Sequence, residues 1–171
     1  KNPNSRIGTS QRNQAFEFLN FIRDIPDEIM YVDERVYKFE NIQLRFSPPV
    51  RHHGKEKNGY VIMLCLRERE KEFLFIPDVE EFTPAAMEWI TEKNNPDIMY
   101  TDGPTTYIHD DTNRDTIIHN FIDSIKKIIT RTRISKIIMD HHIVRDLHWR
   151  ESIRSLLKFS QLRGVTMQTA A

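Results

Sequence analysis

Ile137-Ile138-Met139-Asp140-His141-His142-Ile143-Val144-Arg145-Asp146 decides how this chain is read. An apolar run with the character of a buried strand stops at a carboxylate followed by two imidazoles. Polar side chains just past a strand of an α/β fold stand where ligands gather, in the cleft beyond the strand ends. Histidine is the commonest metal ligand and titrates near neutral pH, so the stretch points to a metal or acid–base site.

The same arrangement recurs elsewhere in the chain. The alternating run Ile42–Phe46 leads into Ser47-Pro48-Pro49-Val50-Arg51-His52-His53-Gly54, and Leu74-Phe75-Ile76 leads into Pro77-Asp78. Ile98-Met99-Tyr100 leads into Thr101-Asp102-Gly103-Pro104. Each instance has a plainer reading: a solvated loop for His52-His53, turn chemistry for Asp78 and Asp102, a helix cap for Asp140. Four strand-like runs ending alike favour one shared site. The single histidines His109, His119 and His148 read as surface or packing residues. Arg145 and Asp146 read as a local ion pair, with anion binding by Arg145 as the alternative.

Periodicity supplies the frame. Ser10 caps a helix over 11–23 with Ala15, Phe16, Phe18, Leu19 and Ile22 on one face. Tyr31–Asp33, Val36–Phe39 and Ile42–Phe46 read as strands, and Ser47-Pro48-Pro49 ends the last of them because proline cannot donate to a ladder. Residues 60–67 and 72–76 read as two strands around the charged turn Glu68-Arg69-Glu70-Lys71. Helices follow over 84–93, 116–130 and 147–160, with strands at 97–100, 134–139 and 165–169. A β-rich first half and an alternating second half make an α/β architecture with mixed sheets.

Composition narrows the class. A chain of 171 residues suits one domain with a real core. Lys plus Arg and Asp plus Glu are equal at 25 each, so charge gives no independent support for a nucleic-acid partner. The single Cys65 excludes an internal disulfide and a thiolate zinc site, and suits a cytoplasmic protein. No stretch approaches the roughly 20 apolar residues of a membrane span, so no membrane partner is expected.

Taken together, Ser47-Pro48-Pro49-Val50 with His53-Gly54, Gly59-Tyr60-Val61-Ile62-Met63, Asp102-Gly103-Pro104-Thr105-Thr106-Tyr107 and Asp140-His141-His142-Ile143-Val144-Arg145-Asp146-Leu147 resemble an archaeal branch of the metallo-β-lactamase-fold hydrolases. Ser10-Gln11-Arg12 and the closing Thr169-Ala170-Ala171 fit as well, so the resemblance runs end to end.

That resemblance implies a metallo-β-lactamase-like αββα sandwich with mixed β-sheets and one or two metal ions at the sheet edge, zinc first, with manganese or iron as alternatives. Three metal-binding positions carry over: His53, Asp78 as the carboxylate bridging two metals, and either His141 or His142. Asp140 would act in catalysis by orienting a neighbouring imidazole. The implied activity is hydrolysis of an ester, amide or phosphoester by metal-activated water.

The chain departs from the family in two places. The signature His-x-His-x-Asp-His is absent from the seven histidines at 52, 53, 109, 119, 141, 142 and 148, and the segment Pro77-Asp78-Val79-Glu80 lacks the usual serine before the aspartate. Residues 1–171 are therefore expected to form one unit equivalent to the C-terminal half of the domain. The N-terminal half, or a partner chain, would supply the remaining ligands, and oligomers are compatible with this. The rival class is a degenerate, non-catalytic subunit that serves as a scaffold or binding partner.

Overall fold

The computed structural model describes residues 5–52, 58–107 and 113–170. Five helices are described: α1 (Thr9–Ile22), α2 (Pro84–Thr91), α3 (Arg114–Arg131), α4 (Trp149–Ser152) and α5 (Arg154–Leu162). The strands are β1 (Val36–Phe39), β2 (Ile42–Phe46), β3 (Val50–Arg51), β4 (Tyr60–Val61), β5 (Leu64–Glu68), β6 (Lys71–Ile76), β7 (Ile98–Thr101), β8 (Lys136–Met139) and β9 (Thr166–Thr169). Seven of them form one sheet in the order β1-β2-β5-β6-β7-β8-β9, while β3 and β4 pair as a separate ribbon. The sheet is antiparallel from β1 to β6 and parallel from β6 to β9. Its two kinds of pairing follow from the connections: short turns give antiparallel neighbours, whereas helical crossovers return the chain parallel. Among the described residues, no helix is long and apolar enough to cross a membrane.

Several boundaries differ from those read in the sequence, each for a local reason. Residues 31–33 are not a strand; the Arg35 amide turns back onto the Val32 carbonyl at 3.0 Å. The helix expected from Gln11 starts at Thr9 on Gly8, and Ser10 does not cap it. Residues 60–67 are two strands, because Tyr60–Val61 pairs with Val50–Arg51 while Ser47 intercepts the amide of Met63 through its hydroxyl at 2.8 Å. The last long helix starts at Trp149 because the Asp146 carboxylate accepts from the His148 amide at 2.8 Å, and it is interrupted at Ile153.

The core lies on one face of the sheet. Cys65, Leu74, Ile76, Met99, Ile137 and Met139 project there in register and pack with Ala86, Trp89 and Ile90 of α2, with Phe121, Ile125 and Ile128 of α3, and with Leu156 of α5. The residues between them occupy the other face: Leu44, Phe46, Leu64, Leu66, Phe73, Phe75, Ile98, Tyr100 and Ile138. None of these nine is buried, although nearly all are apolar, and rings such as Phe75 and Tyr100 sit 5.8 Å apart there. One face of the sheet is thus closely packed, while the other presents partly exposed apolar side chains.

Charge holds the amino ends of the parallel strands together. Glu72 is buried, and its carboxylate accepts from Arg67 Nε at 2.6 Å and from the Asn95 amide at 2.8 Å. Asp97 accepts from the Glu72 amide at 2.8 Å and pairs with Lys71 at 3.2 Å and Arg133 at 3.1 Å. Burial alone would raise the pKa of both acids. The amide and cation contacts outweigh it and hold both below the ordinary carboxylate range.

Candidate metal centre

The carboxyl ends of β6, β7 and β8 lie side by side, with Ile76 beside Thr101 and Thr101 beside Met139. Each strand hands its next residues to the same edge, which is where a parallel α/β sheet places a ligand. Asp78 follows β6, Asp102 follows β7, and Asp140, His141 and His142 follow β8. β2 runs parallel to β6 two strands away, so Ser47 and the segment leading to His52 leave the sheet at this edge too.

Asp78, His141 and His142 converge, with one donor atom from each lying within 4.8 Å of the others. His142 Nε2 stands 3.0 Å from Asp78 Oδ1, and His141 Nε2 stands 4.0 Å from the same oxygen. His52 Nε2 reaches Asp78 Oδ2 at 3.7 Å from the other side, while its Nδ1 lies 3.1 Å from the Asn58 carbonyl. The two adjacent imidazoles pack edge to face with ring centroids 4.5 Å apart. His142 is buried at 7% side-chain exposure, whereas His141 is about half exposed at 48%. Imidazole and carboxylate ligands bound at about 2.0–2.2 Å in a tetrahedron are roughly 3.3 Å from one another. The separations on Asp78 bracket that value, and the nitrogen and oxygen donor set suits zinc or an iron-class ion. The residues present fit a metal.

The backbone is bent to achieve this. Asp78 has φ +48° and His141 φ +49°, both in the left-handed region that non-glycine residues rarely enter. Such conformations persist where surrounding contacts over-determine them, and they cluster at functional sites. For Asp78 the contact is Asp102, whose carboxylate accepts from the Asp78 amide at 2.6 Å. Burial is the main reason the Asp102 carboxyl is pushed above its usual range, with the Asp78 amide pulling the other way. The Asp102 carbonyl takes the Ile143 amide at 3.1 Å, and Gly103 then passes beneath Ile143 at φ +73°. A Cβ on Gly103 would lie 2.9 Å from that of Ile143, so only glycine fits. Glu80 completes the support by accepting from the Thr105 amide at 2.8 Å.

Of the residues read from sequence, the structure brings Asp78, His141 and His142 together. His53 lies outside the described residues, as does His109; its neighbour His52 is the imidazole seen beside Asp78. Asp140 meets a partner the sequence reading did not foresee. Its carboxylate accepts from the Tyr100 hydroxyl, a bond that lowers the Asp140 pKa and raises that of Tyr100 to about 12. His119 and His148 are exposed. The expected Arg145–Asp146 ion pair does not form: Arg145 Nη1 donates to the Tyr107 hydroxyl at 3.0 Å, and Asp146 is turned to the His148 amide. Glu80 and the bracing roles of Asp102 and Gly103 were missed. The strand-end position marked Asp102, but nothing local marked Glu80 as buried.

No protein-family model matches the chain. Its homologues are archaeal UPF0282 proteins. It is 38% identical over 148 residues to one from Pyrococcus horikoshii, covering 85% of this chain and 47% of the relative. It is 36% identical over 171 residues to one from Pyrococcus furiosus, covering 96% and 53%. The chain thus spans about half the length of the curated relatives it matches. Among solved structures it resembles CmlA, a diiron β-hydroxylase from Streptomyces venezuelae, with TM-score 0.58 and 12% identity over 95% of this chain and 35% of that one. It also resembles Zn(2+)-bound PqqB from Methylobacterium extorquens, with TM-score 0.54 and 11% identity over 94% and 60%. The fold is metallo-β-lactamase-like, an α/β architecture with a mixed sheet.

Proposed function

We propose that this chain is the metal-holding part of a hydrolase acting on an ester, amide or phosphoester. Asp78, His141 and His142 are the ligands it contributes to one or two ions, zinc first, with manganese or iron as alternatives. The observation that carries this reading is the meeting of one carboxylate and two imidazoles at the carboxyl ends of adjacent parallel strands. The fold likeness supports it at the level of fold alone.

A bound ion would supply Lewis acidity and an acidified water. The chain's own residues set the geometry. Asp102 locks the left-handed turn that aims Asp78 inward, and burial fixes the His142 ring. His141, on the solvent side, meets the incoming substrate. Asp140 is a positioning residue that, through Tyr100, fixes the strand end from which both imidazoles leave.

The half-exposed apolar face and the half-length match support the view that the rest of a longer protein, or a partner chain, adds a second sheet and further ligands. The test is metal analysis of the full-length protein, followed by hydrolysis assays on phosphodiester, ester and lactam substrates. Near-stoichiometric metal that is lost in Asp78→Ala and His142→Ala, with activity lost in parallel, is expected. A well-folded full-length protein without zinc, manganese or iron overturns the reading and leaves the scaffold role.

A further inference from the structure

Arg145 and Tyr107 stand at the same rim but outside the ligand set. Arg145 closes the single 3-10 turn Ile143–Arg145 that directly follows His142. At about 2 Å of rise per residue, that places its Cα on the order of 6 Å along the turn from the Cα of His142. The guanidinium makes no ion pair with its neighbour Asp146, whose carboxylate is engaged by the His148 amide at 2.8 Å. Instead, Nη1 donates to the Tyr107 hydroxyl at 3.0 Å, and Cζ lies 5.8 Å from the centre of the Tyr107 ring.

Tyr107 is itself pinned to the site. Two residues earlier, the Thr105 amide is held by Glu80, on the loop that carries Asp78. One residue earlier, the Thr106 carbonyl accepts from Arg114 Nε at 2.8 Å. A neutral phenol thus orients Arg145 without cancelling its charge. Only one of the guanidinium's five donors is taken by the phenol, and the side chain is exposed. Among the described residues no carboxylate pairs with it, and a planar, pre-oriented fork of this kind recognises a phosphoryl or carboxylate group by paired hydrogen bonds.

We propose that Arg145, aimed by Tyr107, is the specificity-determining residue of this site and selects a substrate bearing a phosphoryl group. This rests on the hydrolase reading above. It narrows that reading from esters and amides in general to phosphoesters.

The test uses the full-length protein and inorganic phosphate as the probe. Calorimetric titration should show phosphate binding weakened by about tenfold or more in Arg145→Gln, the expected loss for a charge-assisted contact. Tyr107→Phe should weaken it by a smaller factor. Bound metal should be unchanged in both variants. In steady state, Arg145→Gln should raise KM for a phosphodiester by a larger factor than KM for a neutral ester. Unchanged phosphate affinity in a metal-loaded Arg145→Gln protein overturns the proposal while leaving the hydrolase reading intact. Equal losses on neutral and anionic substrates overturn it too. Wild-type protein without metal overturns the hydrolase reading instead, and the phosphate titration still decides whether Arg145 binds the anion.

Discussion

The main-chain amide of Asp78 donates to the carboxylate of Asp102 across 2.6 Å, tying the loop after one parallel strand to the end of the next. Asp102 is buried and lies outside the Asp78, His141 and His142 group, yet its carboxylate holds the Asp78 amide. Asp102→Ala removes the acceptor and lets the left-handed turn relax. Metal affinity in the full-length protein should fall by about 10–100-fold, the usual cost of losing an outer partner of a ligand. Asp102→Asn keeps an acceptor oxygen and should fall in between. Competition with a chromophoric chelator measures both, and equal affinity in all three proteins would separate Asp102 from the site.

Gly103 and Gly164 offer a matched pair. Both have positive φ, +73° and +69°, but a side chain on Gly103 meets Ile143 and one on Gly164 meets nothing within 4 Å. Gly164→Ala should cost only the backbone strain, about 1 kcal/mol. Gly103→Ala adds overpacking of about 1–3 kcal/mol. Calorimetry should therefore show the larger fall in Tm for Gly103→Ala.

Acid stability should depend on the clamp at the other end of the strands. Glu72 and Asp97 titrate below their ordinary values in the folded protein, so the unfolded chain takes up their protons first as pH drops. Their contribution is complete above the ordinary carboxylate pKa of about 4 and disappears as pH falls through the lowered native values. Urea unfolding from pH 7 to pH 3 should show stability declining over the acid end. Glu72→Gln should be less stable at neutral pH and show a flatter decline; an unchanged slope would mean that Glu72 is not a source of the acid sensitivity.

The open sheet face gives a prediction whose size depends on context. Leu66→Lys places a charge where the side chain is partly exposed in the 171-residue chain, so its cost there should be small, about 1 kcal/mol or less. If the second layer proposed above covers this face in a longer protein, the same change buries a charge there, and about 3 kcal/mol is expected, as for other severe core substitutions. Denaturant midpoints of the two lengths decide the matter. Equal costs would remove the case for a covering layer.

How much of this was legible in the sequence follows from what each residue depends on. The β6, β7 and β8 strand ends were readable because apolar runs stopping at Asp or His are local patterns. The division of 60–67 into two strands was not, because it depends on Ser47 capturing Met63 sixteen residues away. Ser10 looked like a cap by residue type, but the chain enters the helix two residues earlier, on Gly8. The ion pair expected from adjacent Arg145 and Asp146 failed because a nearby amide and a distant tyrosine competed for them. Glu80 and the left-handed turns at Asp78 and His141 are set by neighbouring loops, which no local pattern encodes.

Cys65 is the chain's one cysteine and lies on the finished face of the sheet at 2% exposure, its sulfur 3.7 Å from Glu72 Oε2. Burial, with the Glu72 carboxylate adding to it, pushes the thiol up to about 12, so almost no thiolate exists at neutral pH while the strands are closed. Alkylation must then wait for the β5–β6 hairpin to lift away from the helices. The protein carries its own chemical clock: the rate at which a maleimide labels Cys65 counts openings of the layer beneath the candidate site.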